Sequence, residues 1–330
     1  MGLPTWQTDN AAILRPLKTD SEALRYAEWW VRKRIYGLET QEAKWLLDQY
    51  LTAYRVMSDY ISSAYDAQGK VIPTRRTEIL AQIEAEMNTL YQQIAAHLLD
   101  SEIAAYQQGM TGRAWALDMA TRPDIGVTAP LLPTQAIRAS VLTPYLGVQW
   151  GENLALARDE FVLRIKRSIT QSLITGEGIA SAQRRLRDEL GITTDRRKGF
   201  TRNFYRTQLI ARTEILRASN LGALATYEAN RDILSGWEWV SARDERTCPQ
   251  CGALDGKRFK FGDTMNIPPS GSHPGCRCTV VPVLLDTEFM DALTGGPRET
   301  YKQWASKRGL WNDGGLTTQK AKDAGPINRV

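Results

Sequence analysis

Thr247-Cys248-Pro249-Gln250-Cys251 is followed, after 21 residues, by His273-Pro274-Gly275-Cys276-Arg277-Cys278, and these two stretches hold all four cysteines of the chain and one of its two histidines. A Cys-x-x-Cys turn presents two thiolates to one point, and a second pair carried across a short sheet completes a tetrahedral Zn²⁺ site. Cys248, Cys251, His273, Cys276 and Cys278 are five candidates for four positions. Either all four thiolates bind, with His273 outside the coordination sphere, or three thiolates bind with His273 and one thiol is spare. Paired disulfides or free thiols are the alternative to zinc. A hydrolytic centre of the His-Glu-x-x-His kind cannot be built from His97 and His273, because that motif needs both histidines on one turn of helix. The deaminase pattern requires a His-x-Glu upstream of the cysteine pair, whereas His273 lies downstream and is followed by Pro274. A thioredoxin-like use of Cys248 and Cys251 requires an α/β scaffold, and the surrounding sequence is helical.

Working outward, the pattern around the cysteines is β. Trp237 and Trp239 alternate with Glu238 and Val240, Lys257 to Phe261 alternates charge with aromatic rings, and Cys278 to Leu285 is rich in β-branched residues. Upstream the period is helical. Apolar residues recur at steps of three and four after Asp20-Ser21-Glu22, again from Leu47 to Ile61, and again from about Arg75 to Gln108. This predicts three long helices, joined near Gly37 and across Asp66 to Pro73. Trp29, Trp30, Trp45 and Trp115 read as packing surface and His97 as a packed histidine. Pro123, Pro130, Pro133 and Pro144 interrupt the pattern. Helices resume over about 153–175, 180–190 and 197–230, with a break at Gly176-Glu177-Gly178. In the last of these, Arg217 and Asn220 project from the apolar stripe and require hydrogen-bond partners.

The fold class expected is mainly α: a long-helix N-terminal part and a helical middle, then a small β-rich, zinc-stapled module and an extended tail. The corresponding boundaries are 1–120 for an N-terminal helical domain, 121–150 for a Pro-rich linker, 151–235 for a basic helical domain, 236–285 for the Cys/His module and 286–330 for the tail. The net charge of +5 is uneven, since residues 158–217 carry 14 basic and 7 acidic groups while 1–157 carry 14 and 17. Arg184, Arg185, Arg187, Arg196, Arg197, Lys198, Arg202 and Arg206 are the candidates for contact with phosphate backbone or with an acidic protein partner. No phosphate-binding glycine loop or nucleophile elbow occurs. The sequence predicts no membrane span, secretory signal or lipid anchor.

Several separated motifs together resemble one family. They are Ile210-Ala211-Arg212-Thr213-Glu214-Ile215-Leu216-Arg217-Ala218, then Ala242-Arg243-Asp244-Glu245-Arg246-Thr247-Cys248, Leu254-Asp255-Gly256-Lys257, and the His273 to Cys278 run. In this order, over about 154–283, they resemble the Mu F-like head morphogenesis family, the minor head proteins of tailed phages. The resemblance implies a virion protein in few copies, inside the capsid at the portal vertex, acting in head assembly, DNA packaging or DNA delivery and not as an enzyme. It implies portal protein, major capsid or scaffolding protein, and sequence-independent double-stranded DNA as partners. It gives Arg212 and Glu214 structural roles, anchoring the small module to the helical body through separate charged hydrogen bonds. The alternative reading is a zinc-module nucleic-acid-binding protein or an ejected effector.

Overall fold

The computed structural model describes residues 22–144, 148–191, 202–262, 267–285, 299–312 and 315–316. Two long helices open it, α1 (Glu22–Ser62) and α2 (Arg76–Ala120). They are joined where expected. The Asp66 carboxylate accepts the amides of Gln68 and Lys70, and Gly69 takes φ +74°, a left-handed conformation that suits glycine. The expected break near Gly37 does not occur. Gly37 lies inside α1 with open space where a Cβ would stand; one such glycine costs only about 1 kcal/mol in helix propensity, too little to end a helix of 41 residues. Asp20 and Ser21, the expected cap, lie outside the described residues.

The proline-rich segment carries a short helix, α3 (Thr134–Val141), anchored by buried Ile137 and Val141. Then come α4 (Trp150–Thr175), α5 (Ile179–Leu190) and α6 (Arg202–Ala229). Gly176 ends α4 at φ +68°, the left-handed cap that the Gly-Glu-Gly turn predicts. A three-stranded antiparallel sheet follows, in the order β2-β1-β3, from β1 (Leu234–Val240), β2 (Arg258–Phe259) and β3 (Thr279–Leu284), with a helical turn α7 (Pro249–Leu254) between β1 and β2. Trp237 pairs with Phe259 across the β1–β2 ladder, and the two rings stack at 4.4 Å.

The stretch expected as an extended tail is corrected at α8 (Tyr301–Lys307). Thr300 and Gln303 form a capping box at its start. Its apolar face buries Tyr301 and Trp304 against Ala114 to Ala120 of α2. Trp304 Nε1 donates to Asp118 at 2.6 Å, and Trp30 packs against both Trp115 and Tyr301.

Two compact units divide the chain. One gathers Glu39–Ser101 and Pro144–Glu214; among the described residues, the other gathers 22–38, 102–143 and those from 215 onward. In the first, Tyr50 is fully buried, bonded to Thr207 Oγ1 at 2.9 Å and to the Tyr91 hydroxyl at 3.3 Å, with Phe204 edge-on to its ring. His97 is stacked on Trp45 and lies 3.0 Å from Glu42. In the second, α2 and α6 cross with their backbones in contact. A Cβ at Gly222 would stand 2.1 Å from the Tyr106 carbonyl oxygen, one at Gly109 would stand 2.0 Å from that of Ser219, and Thr226 donates to the Met110 carbonyl at 2.7 Å.

Gly222→Ala should therefore destabilise the protein by about 2–3 kcal/mol, since only a backbone shift relieves the contact. Gly37→Ala, at a helix site with open space, should leave stability unchanged or raise it by up to about 1 kcal/mol. Urea denaturation of both variants checks the pair.

Candidate metal centre

The five Cys and His candidates converge at one place, carried by two loops. The first runs from β1 into α7. Cys248 caps α7, with Pro249 at its first position, and the Cys248 sulfur accepts the Cys251 amide at 3.3 Å. The second loop leads into β3, and there the Cys276 sulfur accepts the Cys278 amide at 3.4 Å. In each pair, then, the first sulfur receives a backbone N–H from the second cysteine. His273 Nε2 lies 3.2 Å from Cys248 Sγ and 3.4 Å from Cys251 Sγ, and Cys251 Sγ lies 3.7 Å from Cys276 Sγ. Two triads emerge, Cys248–Cys251–His273 and Cys251–Cys276–Cys278, each with its ligand atoms within 4.8 Å of one another and with Cys251 common to both. All four cysteines carry free thiols.

The environment makes the thiols unequal. The amide bond from Cys251 lowers the Cys248 pKa, and the hydrogen bond from the Cys278 thiol lowers that of Cys276 to about 6. Burial raises Cys251 to about 12, and the neighbouring Cys276 sulfur raises Cys278. Burial pulls His273 down, but the Pro274 carbonyl and the Cys248 sulfur outweigh it and leave its pKa raised.

Charged pairs brace the two loops. Asp244 accepts the Arg246 amide and the Thr247 hydroxyl, and it pairs with Arg277, whose Nη2 reaches it at 2.7 Å. That ion pair joins the cysteine-bearing loop after β1 to the loop before β3. Asp255, from the Leu-Asp-Gly-Lys motif, accepts the Ser241 amide at 2.9 Å and pairs with Arg243 at the same distance.

A buried relay fixes β3 to the helices. Arg113 of α2 is 2% exposed; its Nη1 lies 2.6 Å from Glu28 of α1, itself 0% exposed, and its Nη2 donates to Thr279 Oγ1 at 2.8 Å. Thr279 donates to Asn220 Oδ1 at 3.0 Å, and Asn220 Nδ2 donates to the carbonyls of Pro268 at 2.9 Å and Cys278 at 3.4 Å. Burial raises the Glu28 pKa against the pull of Arg113, and burial lowers Arg32 beside it to about 10. Asn220 thus bonds beyond its own helix, as does Arg217, which donates to the Val141 carbonyl of α3. Glu28, Arg113 and Thr279 are not singled out by sequence reading; the only signal is an arginine and a glutamate standing within helical apolar stripes.

The remaining expected residues lie elsewhere. Arg212 pairs with Glu39 at 3.3 Å, and Glu214 is buried. Of the basic candidates, Arg184 is exposed, Arg185 pairs with Glu177, Arg206 pairs with Glu160, and Arg187 lies over the Tyr54 ring. Arg196, Arg197 and Lys198 lie outside the described residues, as does the Arg202 side chain. Among the described residues no helix is long and apolar enough to cross a membrane.

Fold and site define a helical protein bearing a small Cys/His-rich antiparallel module. Residues 164–281 match the family described as Phage Mu protein F like protein, which supports the Mu F-like head morphogenesis family for that segment. No curated protein and no solved structure matches the chain.

The Asp244–Arg277 pair has a definite pH signature. Hydrogen bonding from Arg277 holds the Asp244 carboxyl down to about 2. A depressed folded pKa stabilises above the unfolded value near 4 and loses that stabilisation as pH falls towards 2. Asp244→Asn should therefore cost about 1–2 kcal/mol at pH 7, and its deficit relative to the parent should close between about pH 4 and pH 2. Chemical denaturation across that range checks it.

Proposed function

We propose that the chain is a minor head protein of a tailed phage, a structural component at the portal vertex that serves procapsid assembly, DNA packaging or DNA delivery. The observation that carries this reading is the three-dimensional convergence of the family segment. The motifs dispersed over 242–278 meet as one braced module, with Asp244 on Arg277, Asp255 on Arg243 and the five Cys and His residues together. We also propose Zn²⁺ as the metal of that cluster. Two loops of a three-stranded sheet have little core of their own, and a four-ligand zinc closes such a module without leaving a coordination position for substrate. The role of the site is then to hold shape, in keeping with an assembly protein.

Portal protein and the major capsid or scaffolding protein are the proposed partners, in the virion interior after assembly in the host cytoplasm. Leu156, Leu163 and Ile174 are 59%, 48% and 60% exposed. Their spacings of seven and eleven residues place them on one line of α4, a surface that suits a protein partner. Contact with double-stranded DNA is the smaller part of the proposal, because three of the four described basic candidates are already engaged with Glu177, Glu160 and Tyr54.

Co-expression of the chain with the portal and coat proteins of its phage, followed by sedimentation and counting, tests the reading. A few copies per portal in the procapsid fraction are expected, falling several-fold with Leu163→Glu. Exclusion of the parent chain from every particle, with the protein retained on DNA in a salt-dependent way, would instead support the nucleic-acid-binding reading.

A further inference from the structure

We infer that Arg32 is the buried counter-charge of the metal–thiolate centre, a cation of α1 that stabilises the negatively charged, metal-bound state of the module over its metal-free state. The inference rests on the zinc reading above and holds for either ligand set. Zn²⁺ with three thiolates and a neutral imidazole carries one net negative charge, and with four thiolates it carries two.

The placement of Arg32 follows from α1. It stands one turn beyond Glu28, on the same face of the helix. Glu28 lies 2.6 Å from Arg113 Nη1, and Arg113 Nη2 reaches Thr279 at 2.8 Å, the residue that follows Cys278 in the chain. Beside Arg32, α1 and α2 approach so closely that a Cβ on Gly112 would stand 2.7 Å from Val31 Cγ2. Arg32 as a residue is partly buried, but its Nε and Nη2 are shielded from solvent and have no hydrogen-bond partner among the described residues. These residues and the cysteines belong to the same compact unit.

The charges around it do not balance without an anion at the cysteines. The groups that act on the Arg32 charge are Glu28, Arg113, Arg243 and Cys278. Arg243 is matched by Asp255 at 2.9 Å. Glu28 is then one carboxylate for the two guanidiniums of Arg113 and Arg32, which leaves one net positive charge. Burial favours the protonated form of Glu28, which enlarges that excess. Burial lowers Arg32 only to about 10, so it keeps its charge at neutral pH. A buried charge without a counter-ion is strongly unfavourable. The remaining group is Cys278, whose sulfur lies with those of Cys251 and Cys276 within 4.8 Å of one another. A metal-bound thiolate holds its negative charge at neutral pH, where a buried free thiol is neutral.

Competition between the reduced full-length chain and a chromophoric chelator for Zn²⁺ and for Co²⁺ reads metal affinity, and urea denaturation of the metal-free chain reads stability. Arg32→Met keeps most of the side-chain volume and removes the charge. Its affinity for both metals should fall about tenfold, the size Coulomb's law gives for unit charges on the order of 10 Å apart at the effective dielectric of a protein. The metal-free Arg32→Met chain should be at least as stable as the metal-free parent, because a buried charge without a counter-ion is gone. Arg32→Lys, which restores the charge without the guanidinium, should recover most of the lost affinity. An arginine that only packs would give the opposite pattern, with stability lost in the metal-free chain and affinity untouched. Parental affinity in Arg32→Met, or a metal-free Arg32→Met chain that is less stable or fails to fold, would overturn the role of Arg32 and leave the zinc reading intact. A parent chain that binds neither Zn²⁺ nor Co²⁺ when reduced would overturn both.

Discussion

A guanidinium in a protein interior is tolerated only where its charge is matched, and Arg113 sets that constraint here. Glu28 matches its charge from α1, and Thr279 takes a second donor from the first residue of β3. Through Thr279 the requirement passes to Asn220 and on to the Pro268 and Cys278 carbonyls. Two long helices, α6 and the last strand of the sheet are therefore joined by one chain of an ion pair and hydrogen bonds. Removing a member of such a chain strands the others without water, which makes its position more specific than apolar packing alone would. The close approach of α2 and α6 at Gly109 and Gly222 belongs to the same arrangement, because Asn220 stands between the two glycine contacts on α6.

The Cys/His module adds what that scaffold lacks. Its sheet has one strand of seven residues, one of six and one of two. Its two cysteine-bearing loops are long relative to those strands, and ordering them costs conformational entropy beyond what the strands themselves require. Ion pairs join them at Asp244–Arg277 and Arg243–Asp255, and the thiols and imidazole gather at their ends. Family motifs that are scattered in sequence turn out to be the two sides of these contacts, which explains why an arginine between two cysteines and an aspartate ahead of the first pair belong to one pattern.

Much of this was legible in the sequence where the signal was local. Spacing marked Cys248, Cys251, Cys276 and Cys278, alternation marked the strands, and Gly176 marked the turn between α4 and α5. Where the outcome depended on residues far apart in the chain, the sequence carried little. Gly37 has the composition of a break, yet propagation through a long helix outweighs a single glycine. The tail looks aperiodic, yet Tyr301 and Trp304 bury rings against α2 and hold a seven-residue helix that propensity alone would not sustain. The basic middle reads as a nucleic-acid face by charge count, but Arg185, Arg187 and Arg206 have partners in their own unit that a count cannot reveal.

The central claim is that a bound metal holds the Cys/His module in shape while the helices stand without it. Hydrogen exchange of the reduced full-length chain, with zinc and after chelation, measures this residue by residue. The account predicts that chelation removes protection from amides of 234–285 and leaves those of α4 and α5 unchanged. Equal protection of the module with and without metal would contradict it.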